Sequence, residues 1–250
     1  MRLRGLRRHW DEYGKSDPFW AILTAPDKKG NRWSTDEFLQ TGRDEIAGVI
    51  AYLDDRGLKG PRRHALDFGC GAGRLTHALA AYFDRVTGID IAPSMIEKAR
   101  QLHAGLPGVD FRVNTSDHLE SVESGSTDLV YTRLVLQHMP PRYIRSYLAE
   151  FVRVLAPGGV LVFQLPGENA LPVTVTGSGL KTLLPRPVIS LIRAVRQLRE
   201  FPRMEIHGLP RSEVERLLAG LGAPVVDAVD DRAHGADTPG YRYCAVKIGR

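Results

Sequence analysis

Ala65-Leu66-Asp67-Phe68-Gly69-Cys70-Gly71-Ala72-Gly73 decides how this chain folds. A short apolar run, residues 65–68, ends in three glycines at alternate positions, and an amphipathic run over residues 75–83 begins directly after them. Strand, bare turn, helix is the arrangement in which glycine is needed. Without a Cβ the chain can turn sharply, and a ligand can reach the backbone amides. Two nucleotide-loop signatures fail on spacing. A G-x-G-x-x-G loop would need glycine at Arg74 or at Thr76, and no Gly-Lys-Ser/Thr follows for a Walker loop.

Working outward, short apolar runs alternate with helical ones. Strands are expected over 85–90, 109–113, 128–132 and 160–165, with helices from Pro93 to Ala104 and from Pro141 to Leu155. Upstream, Ser34 with Glu37 three residues later reads as a capping box that opens a helix to about Asp55. Downstream, residues 212–219 read as a helix, and 225–229 with 241–248 as a closing pair of strands. Alternation of this kind specifies an α/β fold, a doubly wound parallel sheet covered on both faces. Residues 1–33, with aromatics among Pro and Gly, are expected to be an irregular cover segment. The main domain is expected over 34–250, with a helical lid insert at about 166–210.

The pattern D-x-G-x-G-x-G resembles the class I S-adenosylmethionine-dependent methyltransferases (the type 11/12 group) over roughly Arg63 to Leu165. Asp90 at a strand end and Pro157-Gly158-Gly159 before the fifth strand add to the likeness. The resemblance implies a Rossmann-like seven-stranded, mostly parallel sheet with an antiparallel last strand, and S-adenosyl-L-methionine as cofactor. It implies that Asp67 lies near the methionine amino group, with Gly69, Gly71 and Gly73 approaching methionine and ribose. Asp90 would accept both ribose hydroxyls, since one carboxylate can accept from a cis-diol. Ile91 and Met95 would flank adenine, and Leu134, past the fourth strand, would also meet the cofactor. For the adenine amino group, Ser116 and Asp117 are both candidates, with an ordinary loop role open for each. Arg43, in Thr41-Gly42-Arg43, stands either at the cofactor carboxylate or as an exposed helix arginine.

The acceptor is read from Gln137-His138-Met139-Pro140 beyond the fourth strand. This segment is similar to the His-His-Met-Pro of sugar and natural-product O-methyltransferases, in which histidine is the base. An alcohol must lose a proton as its new bond forms, and histidine, with an ordinary pKa near 6.5, can accept it. His138 is therefore the candidate base, and His207 a second one; helix-entry and turn roles stay open for them. Two departures count against the base role: Gln137 replaces the first histidine, and Gln164 stands where relatives often carry an acid after the fifth strand. The expected reaction is O-methylation of a small molecule or saccharide. The alternatives are N- or C-methylation by proximity alone, or a non-catalytic cofactor-binding or RNA-associated module. The strand end Tyr131-Thr132-Arg133-Leu134 lacks the Asp/Asn-Pro-Pro-Tyr of adenine N6 and glutamine enzymes, and no Pro-Cys pair occurs for cytosine C5 chemistry.

Charge placement narrows the partners. The chain of 250 residues has a formal net charge of +5, yet residues 1–8 hold four arginines and no acid, and residues 181–203 hold six cations against Glu200. The remainder is mildly acidic, which argues against a continuous nucleic-acid face. The second basic segment is read as a lid helix with arginines in water, as a contact for an anionic acceptor, or as a peripheral membrane contact for a lipid-linked one. Two cysteines exclude a disulfide scaffold, no metal motif occurs, and the amino-terminal residues lack the apolar core of a secretory signal, so a cytoplasmic location is expected.

Overall fold

The computed structural model describes residues 3–167, 206–231 and 239–249. A mixed sheet runs in the order β3-β2-β1-β4-β5-β7-β6. Its strands are β1 (His64–Phe68), β2 (Arg85–Asp90), β3 (Val109–Val113), β4 (Thr127–Thr132), β5 (Leu155–Pro166), β6 (Val225–Asp230) and β7 (Gly240–Val246). The first five are mutually parallel, and β7 is antiparallel to both of its neighbours. Strand order reverses between β1 and β4, so a crevice opens at their carboxyl ends, where ligands of such sheets bind. The apolar strands are buried on both faces: all five residues of β1 and all six of β4 are buried.

Helices α3 (Thr35–Asp55), α4 (Arg74–Leu79), α5 (Pro93–Leu102), α6 (Pro141–Val154) and α7 (Arg211–Gly220) cover the sheet. The capping box forms as expected: Ser34 accepts from the Glu37 N–H, and the Glu37 carboxylate accepts from the Ser34 N–H. Between β5 and α7 the lid insert lies outside the described residues, apart from its two ends, and so does most of the 234–240 connection.

The amino-terminal segment departs from expectation. Rather than irregular, it holds α1 (Leu3–Ser16), α2 (Pro18–Ile22) and a 3-10 turn (Pro26–Lys28). Leu6 and Trp10 of α1 pack on the core, at the four-residue spacing of one helical face, and Arg4, Arg7 and Arg8 face solvent. Helix α5 has no side-chain cap of its own at Ala92. Asp11 of α1 supplies one across the fold: its Oδ1 accepts the Ser94 N–H at 2.9 Å and its carbonyl accepts the Ser94 hydroxyl at 2.8 Å. This contact fixes α1 over the helix that follows Asp90.

Candidate active site

A cavity of about 230 Å³ lies at the carboxyl ends of β1, β2 and β4. Its floor is the glycine loop. Gly69, Gly71 and Gly73 all have positive φ (76°, 53° and 85°), a region that side chains disfavour. A Cβ on Gly69 would fall 2.3 Å from Val135, and one on Gly73 would collide with His103 and Phe111. All three glycines thus serve close packing, and Gly69 and Gly71 also line the cavity.

Asp90, at the end of β2, holds this loop in place. Its Oδ2 accepts the Gly71 N–H at 2.9 Å and its Oδ1 accepts the Ala92 N–H at 2.8 Å. Burial pushes the carboxyl above its ordinary value, and the bonds from Ala92, Gly71 and Ile91 offset only part of that. A carboxylate has about four lone-pair positions, so Asp90 keeps acceptor capacity for a ligand. Ile91 and Met95 line the same end, as does Asn114 at the end of β3. Asp67 sits beneath the loop, only 1% exposed, and accepts the Thr76 hydroxyl at 2.6 Å. Burial raises it to about 7, against the pull of that hydroxyl and of Arg74.

The opposite end, over β1 and β4, is basic. Arg74, 4% exposed, donates from Nη2 to Glu45 Oε2 at 2.9 Å. Arg133 Nη1 lies 3.4 Å from Glu45 Oε1, which also accepts the Tyr131 hydroxyl at 2.8 Å. Burial alone would raise Glu45, but the charges of Arg74 and Arg133 outweigh it and hold the carboxyl below its ordinary value. Both arginines line the cavity. Leu134, which follows, has φ 59°, a left-handed conformation in a residue with a side chain. Such a backbone costs about 1–2 kcal/mol, and the surrounding packing must hold it.

His138 lies on the 3-10 turn Leu136–His138, which lines the cavity. Its ring meets Trp10 of α1 edge-on, with centroids 5.2 Å apart, and its Nε2 is 3.3 Å from the Gln137 side-chain amide. The amino-terminal segment walls this side: Leu6, Trp10 and Ile22 line the cavity, and Ile22 lies against the Cα of Gly71.

The structure therefore gathers Gly69, Gly71, Asp90, Ile91, Met95, Leu134 and His138 around one cavity. Other expected residues fall elsewhere. Arg43 is exposed, and its Nε and Nη2 both donate to Gln40 Oε1, because its position on α3 turns it away from the face carrying Glu45. Ser116 uses its hydroxyl to accept the His118 N–H, and Asp117 Oδ1 lies 3.5 Å from His118 on an outer hollow beside Arg4. His207 joins the site through its backbone, its N–H donating to the Gln137 carbonyl at 2.7 Å. Missed by sequence reasoning were Trp10, Arg74, Arg133 and Asn114. Only the 3.6-residue spacing of α1 and the position of Arg74 directly after the glycines could have signalled two of them.

A family model described as a methyltransferase domain matches residues 66–163, which span the glycine loop, Asp90 and His138. Residues 66–163 are identified by this match as a methyltransferase domain. Among curated relatives, trans-aconitate 2-methyltransferase of Methylobacterium radiotolerans is 38% identical over 46% of this chain and 42% of its own. Ubiquinone biosynthesis O-methyltransferase of Xanthomonas oryzae pv. oryzae is 37% identical over 55% of this chain and 56% of its own. The chain thus spans about half the length of the curated relatives it matches. In fold it is similar to magnesium protoporphyrin IX methyltransferase of Synechocystis, solved with bound S-adenosylhomocysteine, at 18% identity and a TM-score of 0.61 over 97% of this chain and 98% of that one. An S-adenosylmethionine-dependent methyltransferase from Clostridium acetobutylicum gives a TM-score of 0.63 at 14% identity, over 92% of this chain and 98% of that one. The residues of the cavity fit such a donor: a carboxylate with spare acceptor capacity at a strand end, backbone that no Cβ covers, and apolar side chains beside them. Among the described residues no group of three or more His, Cys, Asp or Glu side chains comes together that could hold a metal ion.

Proposed function

We propose that the chain is an S-adenosylmethionine-dependent O-methyltransferase acting on a hydroxyl of a small molecule, with His138 as general base. The observation that carries this reading is the position of His138 on the rim of the same cavity that Asp90 and the glycine loop line. When bound, the donor supplies a methyl group on a sulfonium, already activated for displacement. The chain's own work is then alignment, exclusion of water and removal of one proton. Trp10, Leu6 and Met139 wall the cavity with apolar surface. Gln137 lies beside the imidazole, its side-chain amide 3.3 Å from His138 Nε2. His138 would take the proton that the acceptor hydroxyl gives up as the methyl group is transferred. The names of the relatives favour a small-molecule acceptor over a macromolecule. A saccharide or lipid-linked acceptor rests only on the two basic segments.

Incubating an extract with isotopically labelled donor and identifying the labelled product by mass spectrometry names the acceptor. On that product, His138→Ala should lower kcat by about 10²-fold or more if the histidine is the base. A loss under about tenfold would instead favour transfer to nitrogen or carbon by proximity alone.

A further inference from the structure

We infer that the outer face of α1 is a docking surface for an anionic lipid bilayer, carried by the guanidinium groups of Arg4, Arg7 and Arg8. All three are exposed, and their spacing of three and four residues puts them on one side of the helix. Folding alone gives no account of them. No acid stands in the first turn of α1, so the positive end of the helix dipole meets more positive charge. Arg4 and Arg8, four residues apart, also repel one another. Among the described residues none of the three has an ion pair or a side-chain hydrogen bond. Lys15, farther along the same helix, is matched by Asp11 at 2.7 Å and Glu12 at 3.7 Å. A face that costs stability in the free protein is explained by a partner that supplies the missing negative charge. It continues past the helix: Arg4 shares an outer hollow with Arg142 and Tyr143 of α6, and the acid of that hollow, Asp117, lies 3.5 Å from His118.

Two properties select a bilayer as the partner. The chain outside its two basic segments is mildly acidic, so a flat surface touching one face suits it better than nucleic acid running along the body. The opposite face of α1 supplies Leu6 and Trp10 to the cavity, so the helix that carries the arginines also walls the space for an apolar acceptor. Apolar molecules leave water for the bilayer interior. An acidic protein matches the charges but not that apolar wall. The link to the acceptor rests on the methyl-transfer reading; the docking itself does not. Because the apolar side of α1 is packed on the body, the contact is electrostatic, at the headgroups, without insertion of the helix.

The test is flotation of the full chain with vesicles of phosphatidylcholine, alone or mixed with about one-third phosphatidylglycerol. Binding is expected only to the anionic vesicles and should fall steeply with salt. Arg4→Gln, Arg7→Gln and Arg8→Gln together should weaken it by about a hundredfold, at about fivefold for each arginine. The Tm of this triple variant should stay the same or rise, since a repulsion is removed, and its affinity for S-adenosylhomocysteine should be unchanged. If the triple variant does not fold, the single ones, each losing about fivefold, carry the comparison. No binding to anionic vesicles, or binding that a folded triple variant retains, overturns the docking face. Loss only when Arg193, Arg196 and Arg199 become glutamine overturns it too, and assigns the lipid to the other basic segment. Salt-sensitive retention of double-stranded RNA without vesicle binding overturns it in favour of nucleic acid. A parent protein that floats with the vesicles but binds no S-adenosylhomocysteine overturns the donor reading and leaves the docking face standing.

Discussion

Replacing Asp90 by asparagine removes one acceptor oxygen and leaves the shape of the side chain almost unchanged. In the structure both oxygens are in use, Oδ2 by the Gly71 N–H at 2.9 Å and Oδ1 by the Ala92 N–H at 2.8 Å. Whichever way the amide turns, its NH₂ faces a backbone N–H, so one charge-assisted bond is lost, about 1.5–3 kcal/mol. The same NH₂ can no longer accept one of the two ribose hydroxyls, a further loss of similar size. Part of the first loss falls on the free protein, through a looser glycine loop, and the second falls on the complex. Together they should weaken S-adenosylhomocysteine by about 10²- to 10³-fold, at about 1.4 kcal/mol per decade. Calorimetry measures the affinity, and a thermal melt separates loss of binding from loss of fold. Asp90→Asn that binds within about fivefold of the parent would refute the assignment of Asp90 to the ribose.

Asp67 makes the ligand-free protein sensitive to pH. Its folded pKa of about 7 lies above the ordinary 3.8, so the unfolded chain ionises first and stability falls as pH rises through that window. Asp67→Asn should therefore raise Tm at pH 8 more than at pH 4.5, and equal shifts would contradict the buried, half-protonated carboxyl. Gly69→Ala places a methyl 2.3 Å from Val135 at φ 76° and should cost about 2–4 kcal/mol in denaturant unfolding. Gly105→Ala, at φ 83° with nothing within 4 Å, should cost about 1 kcal/mol by the same measurement. Asp11→Ala removes the side-chain acceptor of the Ser94 N–H in the first turn of α5 and should cost about 1 kcal/mol in unfolding free energy, with a change in Trp10 emission as α1 loosens.

The central sheet was legible because its strands are apolar throughout and its helices amphipathic, so the period of hydrophobicity changes at each boundary. Asp67, the glycines and Asp90 were legible for a related reason: their spacing sits on those boundaries. The amino-terminal helix was not. Leu3, Leu6, Trp10 and Tyr13 recur at helical spacing, but Gly5, Gly14 and the charged run between them lower the intrinsic propensity, and the helix forms by packing on the body. Arg74 and Arg133 were hidden because they meet through Glu45, which is distant from both in sequence and comes from α3, packed against α4. Arg43 was a candidate in sequence for the cofactor carboxylate, and a rotation of about 200° around α3, two residues from Glu45, separates it from the cavity.

The charges around the cavity are arranged so that each end is stable without a ligand and still has capacity for one. At the ribose end the carboxylate of Asp90 is supported by backbone N–H groups, which cannot collapse onto the opposite wall. At the other end the two arginines would repel one another, and Glu45, shared between them, removes that repulsion while keeping them apart. Without Glu45 each guanidinium would be drawn toward the nearest carboxylate, and Asp67, already interacting with Arg74, lies directly below the loop. An Arg74–Asp67 pair would pull the cation off the cavity wall and distort the turn that Thr76 now stabilises through Asp67. Glu45 and Thr76 thus perform complementary tasks, one occupying the arginines and the other the aspartate.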